Sequence, residues 1–330
     1  MTDLPIGGPS LSEIEAEAIF GALLEGEGAD EDVERFLIAL SERGETAGEI
    51  AGAARAMRAR VIAVTPPDGA VDCCGTGGDG HHTLNVSTAV SLVVAACGVP
   101  VAKHGNRAAS SKSGAADTLE VLGLDMDAAV RCAEKTLHDI GIGFLFARLH
   151  HPALARMAPI RQRIGKRTIF NLLGPLCNPA GVTRQLIGIA RPELVPIYAE
   201  AKASLDADRS FIVSGDEGLD ELSLAGGNDL ADVTGGNVTM RRVDARDAGL
   251  ANAPLDAIRG DDAAYNAAAL TRLLEGEKSA YRDAVLLNAA ATLVVADKCA
   301  DWAEGVALAG EALDSGRARQ LLADWIRLTV

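Results

Sequence analysis

The sequence predicts an α/β protein in which a helical N-terminal region precedes a domain built on a largely parallel β-sheet. Residues 11–64 show the helical spacing of apolar residues, interrupted by short polar segments. Beyond residue 69, short apolar strand candidates alternate with helical segments, which is typical of a parallel sheet. The most polar and glycine-rich segments each follow a predicted strand, and ligands bind at the carboxyl ends of such strands. These observations predict the fold class and one shared binding site.

The N-terminal region divides into short helices. Apolar residues recur at helical spacing from Leu11 to Ala22, and the segment DEDVERFLIALSERG repeats the pattern with acids in its first turn. Gly44 follows this second segment as a helix stop. The segment TPPDG, residues 65–69, then breaks the chain, and we place a domain boundary there.

The α/β region follows in a regular order. We predict a strand at AVDCC and then a helix that ends at Gly98, with Asn85, Ser87 and Thr88 as its capping residues. The later predicted elements are the strand VPVA, helices through ADTLEVLG and from about Asp127 to Asp139, the strands IGFLFA and QLIGIA, a helix near Glu193 to Leu205, and the strand SFIVSG. The polar segments GTGGDG, KHGNR, RLHHP and SGDEGLDE follow strands, so we expect them to converge on one site.

Composition and charge argue against several classes of protein. The 330-residue chain carries a net charge of −15, which disfavours broad contact with nucleic acid or an anionic membrane. The N-terminus is acidic and lacks the apolar core of a signal peptide, and the longest apolar run, residues 89–102, is too short to span a bilayer. Six scattered cysteines without a CxxC pair suit a reducing compartment, so we predict a cytoplasmic location. The paired histidines show no zinc-ligand spacing.

The stretch DCCGTGGDGHHTLNVST, residues 72–88, holds four glycines within six residues. It satisfies GxGxxG, but HHTLN intervenes before a plausible helix and the next strand ends at Lys103 instead of an acid, so the dinucleotide interpretation fails. The Walker pattern fails because His81 stands where lysine is required. A phosphate cradle of another kind and a tight strand-to-helix turn remain. Asp79 in this loop would repel phosphate unless it binds a hydroxyl group or lies near a bound cation.

Longer motifs in a fixed order carry a resemblance to a known family. The segments DCCGTGGDGHHTLNVST, VAKHGNRAASSKSGAADTLEVLG, FLFARLHHPALARMAPIRQRIGKRTIFNLLGPLCNPA and GLDELSL resemble the anthranilate phosphoribosyltransferases, enzymes of tryptophan biosynthesis. The C-terminal segments YRDAVLLNAAATLVVA and EGVALAGEALDSGRA follow the same family's pattern. The similarity extends from about residue 11 to about residue 325, which is nearly the whole chain.

The resemblance implies a fold shared with the pyrimidine nucleoside phosphorylases. A small all-helical domain, residues 1–66 completed by about 152–180, would lie beside a larger α/β domain, residues 67–151 and 181–330, whose mostly parallel central sheet is flanked by helices. The implied reaction converts anthranilate and phosphoribosyl pyrophosphate into N-(5-phosphoribosyl)anthranilate and pyrophosphate, with about two Mg²⁺ ions per subunit. A homodimer without nucleic-acid or membrane partners is also implied.

The resemblance further implies the residues of the site. Phosphoribosyl pyrophosphate would contact Gly75, Gly78, Asp79, Thr83, Asn85, Val86, Ser87, Thr88, Lys103, His104, Gly105, Asn106, Arg107, Ala108, Ala109, Ser110, Ser111 and Ala115. Anthranilate would contact Gly75, His104, Asn106 and Arg161, and the metal ligands would be Ser87, Asp220 and Glu221. No general acid or base is assigned, and a binding role is expected for His104.

Alternatives stay open at this point. Adjacent acids such as Asp220 and Glu221 are more often surface residues, and Arg161 stands among several basic residues of one helix. The family usually has proline where this chain has Arg148, which borders the expected anthranilate region. A pyrimidine nucleoside phosphorylase of the same fold and a non-catalytic nucleic-acid-binding relative are the rival functions. The GLDE pair and APIRQRIG favour the transferase, and the retained GTGGD with an acidic chain disfavours the nucleic-acid binder.

Overall fold

The N-terminal region folds as three helices. The computed structural model describes residues 4–107 and 112–329, and it begins with α1 (Glu13–Glu25), α2 (Asp30–Arg43) and α3 (Ala47–Arg58). Helices α1 and α3 start at capping boxes, in which Ser12 and Thr46 each exchange hydrogen bonds with a glutamate three residues on. Gly44 ends α2 with a φ of 91°, which favours glycine, and this confirms the predicted stop.

Strands and helices then alternate along the chain. The first part contains β1 (Val71–Gly75), α4 (Val86–Ala96), β2 (Val101–Gly105), α5 (Ala115–Val121), α6 (Met126–Arg131), α7 (Ala133–Ile140), β3 (Ile142–Phe146), α8 (Ala147–His150) and α9 (Met157–Ile164). The second part contains β4 (Arg184–Gly188), α10 (Val195–Ala203), β5 (Arg209–Gly215), β6 (Asn228–Thr234), β7 (Asn237–Val243), α11 (Ala263–Leu274), α12 (Ala280–Val295), α13 (Trp302–Asp314) and α14 (Arg317–Leu328).

The seven strands form one sheet in the order β3-β2-β1-β4-β5-β6-β7. The five strands β1 to β5 pair in parallel, while β6 and β7 extend the sheet antiparallel beyond β5. The loops after β1, β2, β3 and β5 therefore leave from the same edge of the sheet. This arrangement confirms the predicted fold class, a helical N-terminal part with a mostly parallel sheet flanked by helices.

Two large hydrophobic clusters cover the opposite faces of the sheet. Neighbouring residues of β4 and β5 alternate between them, so that Leu186 belongs to one cluster and Ile187 to the other. The first cluster joins the sheet to α4, α12 and α13. The second joins the sheet to α10, to α1–α3 and to the segment 157–177. The N-terminal helices and the segment after α8 therefore share one core.

The structure corrects the prediction in two places. The helix predicted from about Asp127 to Asp139 is two helices, α6 and α7, because the backbone at Cys132 (φ −100°, ψ 5°) leaves the helical region between them. The hairpin of β6 and β7 was not predicted from the sequence, although it completes the sheet. Among the helices of residues 4–107 and 112–329, none combines the length and apolar character that a membrane span requires.

Candidate active site

Two glycines allow the loop after β5 to lie directly on the sheet edge. Gly75 and Gly188 are paired residues at the ends of β1 and β4. A Cβ atom on Gly75 would lie 2.0 Å from Asp220 Oδ2, and one on Gly188 would lie 1.6 Å from the Asp220 carbonyl oxygen. Neither position tolerates a side chain, so these glycines bring the segment SGDEGLDE against the loop GTGGDG.

The acids Asp220 and Glu221 bind backbone donors of the first loop and of α4. Asp220 Oδ2 accepts a hydrogen bond of 2.6 Å from Gly77 N, and Glu221 Oε1 accepts one of 3.0 Å from Ser87 N. Glu221 Oε2 is buried and has no hydrogen-bond partner among the described residues. Burial and the charge of Asp79 raise the pKa of Asp220 to about 7, while burial and the charge of Asp220 raise the pKa of Glu221.

This donor set fits Mg²⁺. Asp79, Asp220 and Glu221 are half-buried and close enough for their charges to interact, and Glu221 Oε2 is a buried oxygen without a partner among the described residues. A hard divalent cation stabilises such a group of carboxylates. Among residues 4–107 and 112–329, no group of three or more His, Cys, Asp or Glu side chains has the geometry of a metal site complete in itself. Mg²⁺ commonly binds one or two carboxylates together with substrate phosphates, so an incomplete protein shell is the expected arrangement.

The glycine loop offers unpaired backbone donors. Gly77, Gly78 and Gly80 have φ values of 73°, 74° and 79°, in the left-handed region that favours glycine. The N–H groups of Gly78, Asp79 and Gly80 find no acceptor among the described residues. Successive free N–H groups in such a conformation form a concavity that binds anions. Asp79 in this loop lies near Asp220, so its charge faces the proposed cation site.

The start of α4 differs from the prediction in one respect. Asn85 precedes α4, yet its side chain does not cap the helix, and Ser87 and Thr88 lie within the first turn. Instead, Asn85 Oδ1 accepts hydrogen bonds from Thr118 Oγ1 (2.6 Å) and Asn266 Nδ2 (2.9 Å). Thr88 Oγ1 is buried without a partner among the described residues. The side chain of Asn85 thus fixes the loop to α5 and α11. Val86 begins the helix, and Thr83 forms an isolated bridge with Arg259.

Lys103 and His104 at the end of β2 are both buried. Lys103 Nζ donates to Cys73 O (2.7 Å) and to Ser87 Oγ (3.2 Å), which places a cation beside Glu221. His104 Nδ1 donates to Gly174 O at 3.1 Å because a carbonyl can only accept. Burial lowers the pKa of His104 to about 4, so the ring is neutral, and its Nε2, which has no partner among the described residues, can accept a hydrogen bond.

The rest of the second loop is only partly described. Residues Ala108, Ala109, Ser110 and Ser111, predicted to contact phosphoribosyl pyrophosphate, lie outside the described residues. Arg107 pairs with Asp117 and Glu120 of α5, so its charge is neutralised in this structure. Asn106 accepts from Arg107 N through its side chain, while Gly105 approaches Phe144 and Ala115 closely.

Arg161 differs from the basic residues around it. Arg156 donates to the carbonyls of Gly26 and Gly28, and Arg163 pairs with Asp30 and Glu34. Arg161 is half-buried, has no ion-pair partner among the described residues, and lies with its guanidinium 5.8 Å from the centre of the Phe170 ring. Burial alone lowers the pKa of Arg161. A desolvated cation of this kind is suited to bind a ligand carboxylate.

A histidine cluster follows β3 in the segment RLHHP. The rings of His104 and His151 are 5.4 Å apart, and His150 Nδ1 donates to Ile62 O at 2.7 Å. The Nε2 atoms of all three histidines are buried without a partner among the described residues. Arg148, in the place of the family's proline, is exposed on α8.

Sequence reasoning missed four residues that hold these loops. Asp72 is fully buried and accepts hydrogen bonds from Asn178 Nδ2 (2.9 Å) and His104 N (3.3 Å). Asn288 on α12 pairs with both backbone groups of Leu222, next to Glu221. Arg167 donates to two carbonyls of the glycine loop. Among these residues only Asp72 gave a signal in the sequence. It is a charged residue within the otherwise apolar strand AVDCC, and a buried acid needs hydrogen-bond partners.

Comparisons with known proteins identify the family of this chain. The model of a glycosyl transferase family, a/b domain, matches residues 67–319, and that of a glycosyl transferase family, helical bundle domain, matches residues 6–61. The chain is 68% identical to the anthranilate phosphoribosyltransferase of Erythrobacter litoralis over the full length of both proteins.

Solved structures give the same result. The fold resembles the crystal structure of anthranilate phosphoribosyltransferase from Thermus thermophilus, with a TM-score of 0.93, 44% identity and 98% of each chain covered. It also resembles the Saccharomyces cerevisiae enzyme in complex with PRPP and Mg, with a TM-score of 0.87, 30% identity, and 97% of this chain and 93% of that chain covered. On sequence and fold together, this chain belongs to the anthranilate phosphoribosyltransferase family.

Proposed function

We propose that this chain transfers the phosphoribosyl group of phosphoribosyl pyrophosphate to the amine of anthranilate, giving N-(5-phosphoribosyl)anthranilate and pyrophosphate in tryptophan biosynthesis. The observation that carries the proposal is the half-buried pair Asp220 and Glu221, which faces a glycine loop whose N–H groups at Gly78, Asp79 and Gly80 have no acceptor among the described residues. An anion cradle beside a cation site is what a metal-bound diphosphate requires.

The phosphoribosyl pyrophosphate site comprises the residues predicted from the sequence in the loops after β1 and β2. Gly78 and Asp79 supply backbone N–H groups, and Lys103 supplies a buried cation beside Ser87. The N-terminus of α4 adds a partial positive charge at Val86–Thr88. These donors lower the energy of the negative charge that develops on the departing pyrophosphate.

Two Mg²⁺ ions, held by Ser87, Asp220 and Glu221 together with substrate phosphates, complete the proposal. The S. cerevisiae relative binds PRPP and Mg, which supports the choice of metal. When bound, the metal neutralises the charge of the leaving pyrophosphate. The chain's own contribution is to fix the positions of Asp220 and Glu221 through the N–H groups of Gly77 and Ser87, while a bound cation would stabilise their ionised forms.

The anthranilate site is proposed at Gly75, His104, Asn106 and Arg161. Arg161 offers a two-pronged donor for the carboxylate, and neutral His104 offers Nε2 as an acceptor for an amine proton. With the amine held against C1′ of the ribose, positioning supplies most of the catalysis. No residue needs to remove a proton before the amine attacks, because the neutral amine is the nucleophile.

The proposal extends to assembly and location. We propose a homodimer. Two observations support it: the family resemblance, and the exposed apolar side chains in the helical region, among them Ile14 and Ile62. We also propose a cytoplasmic location, which the cysteine pattern supports: the described cysteines are all free thiols.

The decisive experiment is a fluorescence assay of anthranilate consumption. We expect consumption that requires both phosphoribosyl pyrophosphate and Mg²⁺, and release of pyrophosphate in equal amount. Replacing Asp220 by Asn and Glu221 by Gln should lower the rate by orders of magnitude and abolish the ordinary Mg²⁺ response. Phosphate-dependent cleavage of a pyrimidine nucleoside, without anthranilate consumption, would instead identify the nucleoside phosphorylase.

A further inference from the structure

Arg167 connects the helical side of the molecule to the glycine loop. Its Nη1 atom donates to Gly78 O at 2.8 Å and its Nη2 atom donates to Gly77 O at 3.1 Å. The backbone of Arg167 is itself held, since its carbonyl accepts a hydrogen bond of 3.1 Å from Ser41 Oγ on α2. The two Nη atoms of the guanidinium therefore bind two consecutive carbonyls of the glycine loop, and the backbone from which the side chain extends is held in place.

The contact determines which way the loop's N–H groups point. In a trans peptide, the carbonyl and the following N–H point in opposite directions. Because the carbonyls of Gly77 and Gly78 face Arg167, the N–H groups of Gly78 and Asp79 point away from it. These are the groups that find no acceptor among the described residues.

Without such a contact, this orientation would be poorly defined. Gly77 and Gly78 both have positive φ, and glycine reaches positive and negative φ at similar cost. The peptide between them can therefore rotate and present its carbonyl where its N–H now points. A carbonyl dipole in that place would repel a diphosphate.

We propose that Arg167 is a positioning residue for the diphosphate: it fixes the carbonyls of Gly77 and Gly78 and thereby directs the loop's N–H groups toward the substrate. This inference rests on the proposed function. Arg167 acts through the loop and touches no reacting atom. It sets the affinity for phosphoribosyl pyrophosphate and for pyrophosphate, and leaves the anthranilate contacts unchanged.

The test measures the binding of pyrophosphate with Mg²⁺ by calorimetry and the steady-state kinetics of both substrates. We expect Arg167→Ala to weaken pyrophosphate binding and raise the KM for phosphoribosyl pyrophosphate by about tenfold or more, since two charge-assisted hydrogen bonds are lost. The KM for anthranilate should stay within about twofold of wild type. Arg167→Lys should recover only part of the affinity: the positive charge is kept, but an ammonium group cannot bind both carbonyls as the guanidinium does.

Two further measurements separate positioning from general structural support. Added guanidinium ion should restore pyrophosphate binding in Arg167→Ala, whereas a merely structural loss would not respond. Lys166→Ala is the matched control. Lys166 is adjacent, exposed, and forms no hydrogen bond or ion pair with another described residue, so this substitution should leave pyrophosphate affinity and both KM values unchanged.

Each outcome bears on one claim. If wild type shows no anthranilate consumption with phosphoribosyl pyrophosphate, the proposed function fails. The positioning role is wrong if wild type is active but Arg167→Ala binds pyrophosphate with wild-type affinity. It is also wrong if folded Arg167→Ala shows the same increase in KM for phosphoribosyl pyrophosphate and for anthranilate. Should Arg167→Ala not fold, Arg167→Lys decides: an intermediate loss of pyrophosphate affinity supports the role, and wild-type affinity overturns it.

Discussion

At the residue scale, the contacts of four neighbouring arginines distinguish Arg161, the proposed anthranilate-binding residue, from three that donate to acceptors of the protein. Arg156, Arg163 and Arg167 each donate to acceptors of the protein, whereas Arg161 has no ion-pair partner among the described residues. The sequence shows only a basic segment, RMAPIRQRIGKR, in which the four arginines look equivalent. What distinguishes them is the position of Asp30, Glu34 and the loop carbonyls, which are far away along the chain.

Arg161 supplies the first prediction. Arg161→Ala should raise the KM for anthranilate about ten- to a hundredfold, because a charge-assisted hydrogen bond contributes roughly 1.5–3 kcal/mol. Arg161→Lys should recover only part of this loss. Steady-state kinetics with both substrates provide the measurement, and Arg163→Ala, which breaks exposed ion pairs, should leave both KM values unchanged. Equal weakening of both substrates by Arg161→Ala would contradict the assignment.

Lys202 gives a prediction for the pH dependence of stability. It is fully buried and donates to Gln185 Oε1, and burial lowers its pKa to about 7 from the ordinary 10.5. Between these values the unfolded chain binds a proton that the folded chain lacks, so Lys202 makes stability rise as the pH rises from about 7 toward 10.5.

Lys202→Met removes this titration. Its free energy of unfolding, relative to wild type, should be highest near pH 7 and should fall by up to about 1.4 kcal/mol per pH unit above it. Denaturant unfolding at several pH values measures this difference, and the exposed Lys298→Met serves as control. A difference between Lys202→Met and wild type that does not change with pH would show that Lys202 keeps an ordinary pKa.

At the element scale, the strands that line the site were predictable and the edge hairpin was not. Strands β1 to β5 are short and mostly buried on both faces, which is the pattern of a parallel sheet. Strand β7 is mostly exposed and has no apolar pattern. The available signal was the turn: Gly235 and Gly236 have φ values of 55° and 82° and form a two-residue hairpin connection.

The site was predictable where it lies in continuous motifs and unpredictable where it depends on contacts between distant segments. The glycine loop and the acids Asp220 and Glu221 each stand in a recognisable local pattern. Asn288 contacts Leu222, 66 residues away, and the backbone pairing that it provides has no local signature. The same is true of Asp72 with Asn178, 106 residues apart.

The end of β1 gives a prediction about close approach. Gly75→Ala adds a Cβ atom that would lie 2.0 Å from Asp220 Oδ2, so the acidic loop must move away from the glycine loop. We expect kcat to fall at least about tenfold and the Mg²⁺ concentration for half-maximal rate to rise, since misplacing a site group by about 1 Å has effects of this order. Gly310→Ala on α13 meets only Arg282 Nη2, at 3.7 Å, and should behave as wild type. Unaltered Mg²⁺ dependence in Gly75→Ala would mean that Asp220 binds no metal.

Helix α12 gives a prediction about support from behind the site. Asn288 accepts from Leu222 N and donates to Leu222 O, both at 2.9 Å. Asn288→Leu leaves two buried backbone groups unpaired, which should lower the free energy of unfolding by about 1–3 kcal/mol and raise the Mg²⁺ requirement.

Thr292→Val, one turn further along α12, is the matched control. Thr292 is equally buried, but its hydroxyl bonds only the carbonyl of Asn288 within the same helix. Thermal unfolding and Mg²⁺ titration of activity compare the two variants. If Asn288→Leu loses stability without any change in the Mg²⁺ requirement, then α12 supports the fold and leaves the position of Glu221 to other contacts.

At the scale of the whole molecule, the site lies between parts of the chain that depend on each other for their core. Residues of the helical region, such as Phe20, pack on Phe170 of the later segment with ring centres 5.8 Å apart. The same cluster continues to Ile187 and Ile212 of the sheet. Arg161 and Arg167 belong to this later segment, so the proposed anthranilate contact of Arg161 and the loop contact of Arg167 both depend on a core that the first three helices complete.

This shared core leads to the last prediction, which also tests the proposed domain division. Removing residues 1–66 would expose the apolar side chains of the segment 157–177 that now pack on α1–α3, including Met157, Ile160 and Phe170. Each such side chain contributes about 1.5–3 kcal/mol when buried, so the free energy lost by exposing all of them is comparable with the usual stability of a domain. We therefore expect residues 67–330 alone to be insoluble or partly unfolded, as measured by solubility and circular dichroism, while co-expression with residues 1–66 restores a soluble complex. A soluble, cooperatively folding 67–330 fragment would show that the segment belongs with the α/β part, and the helical domain would then consist of the first three helices alone.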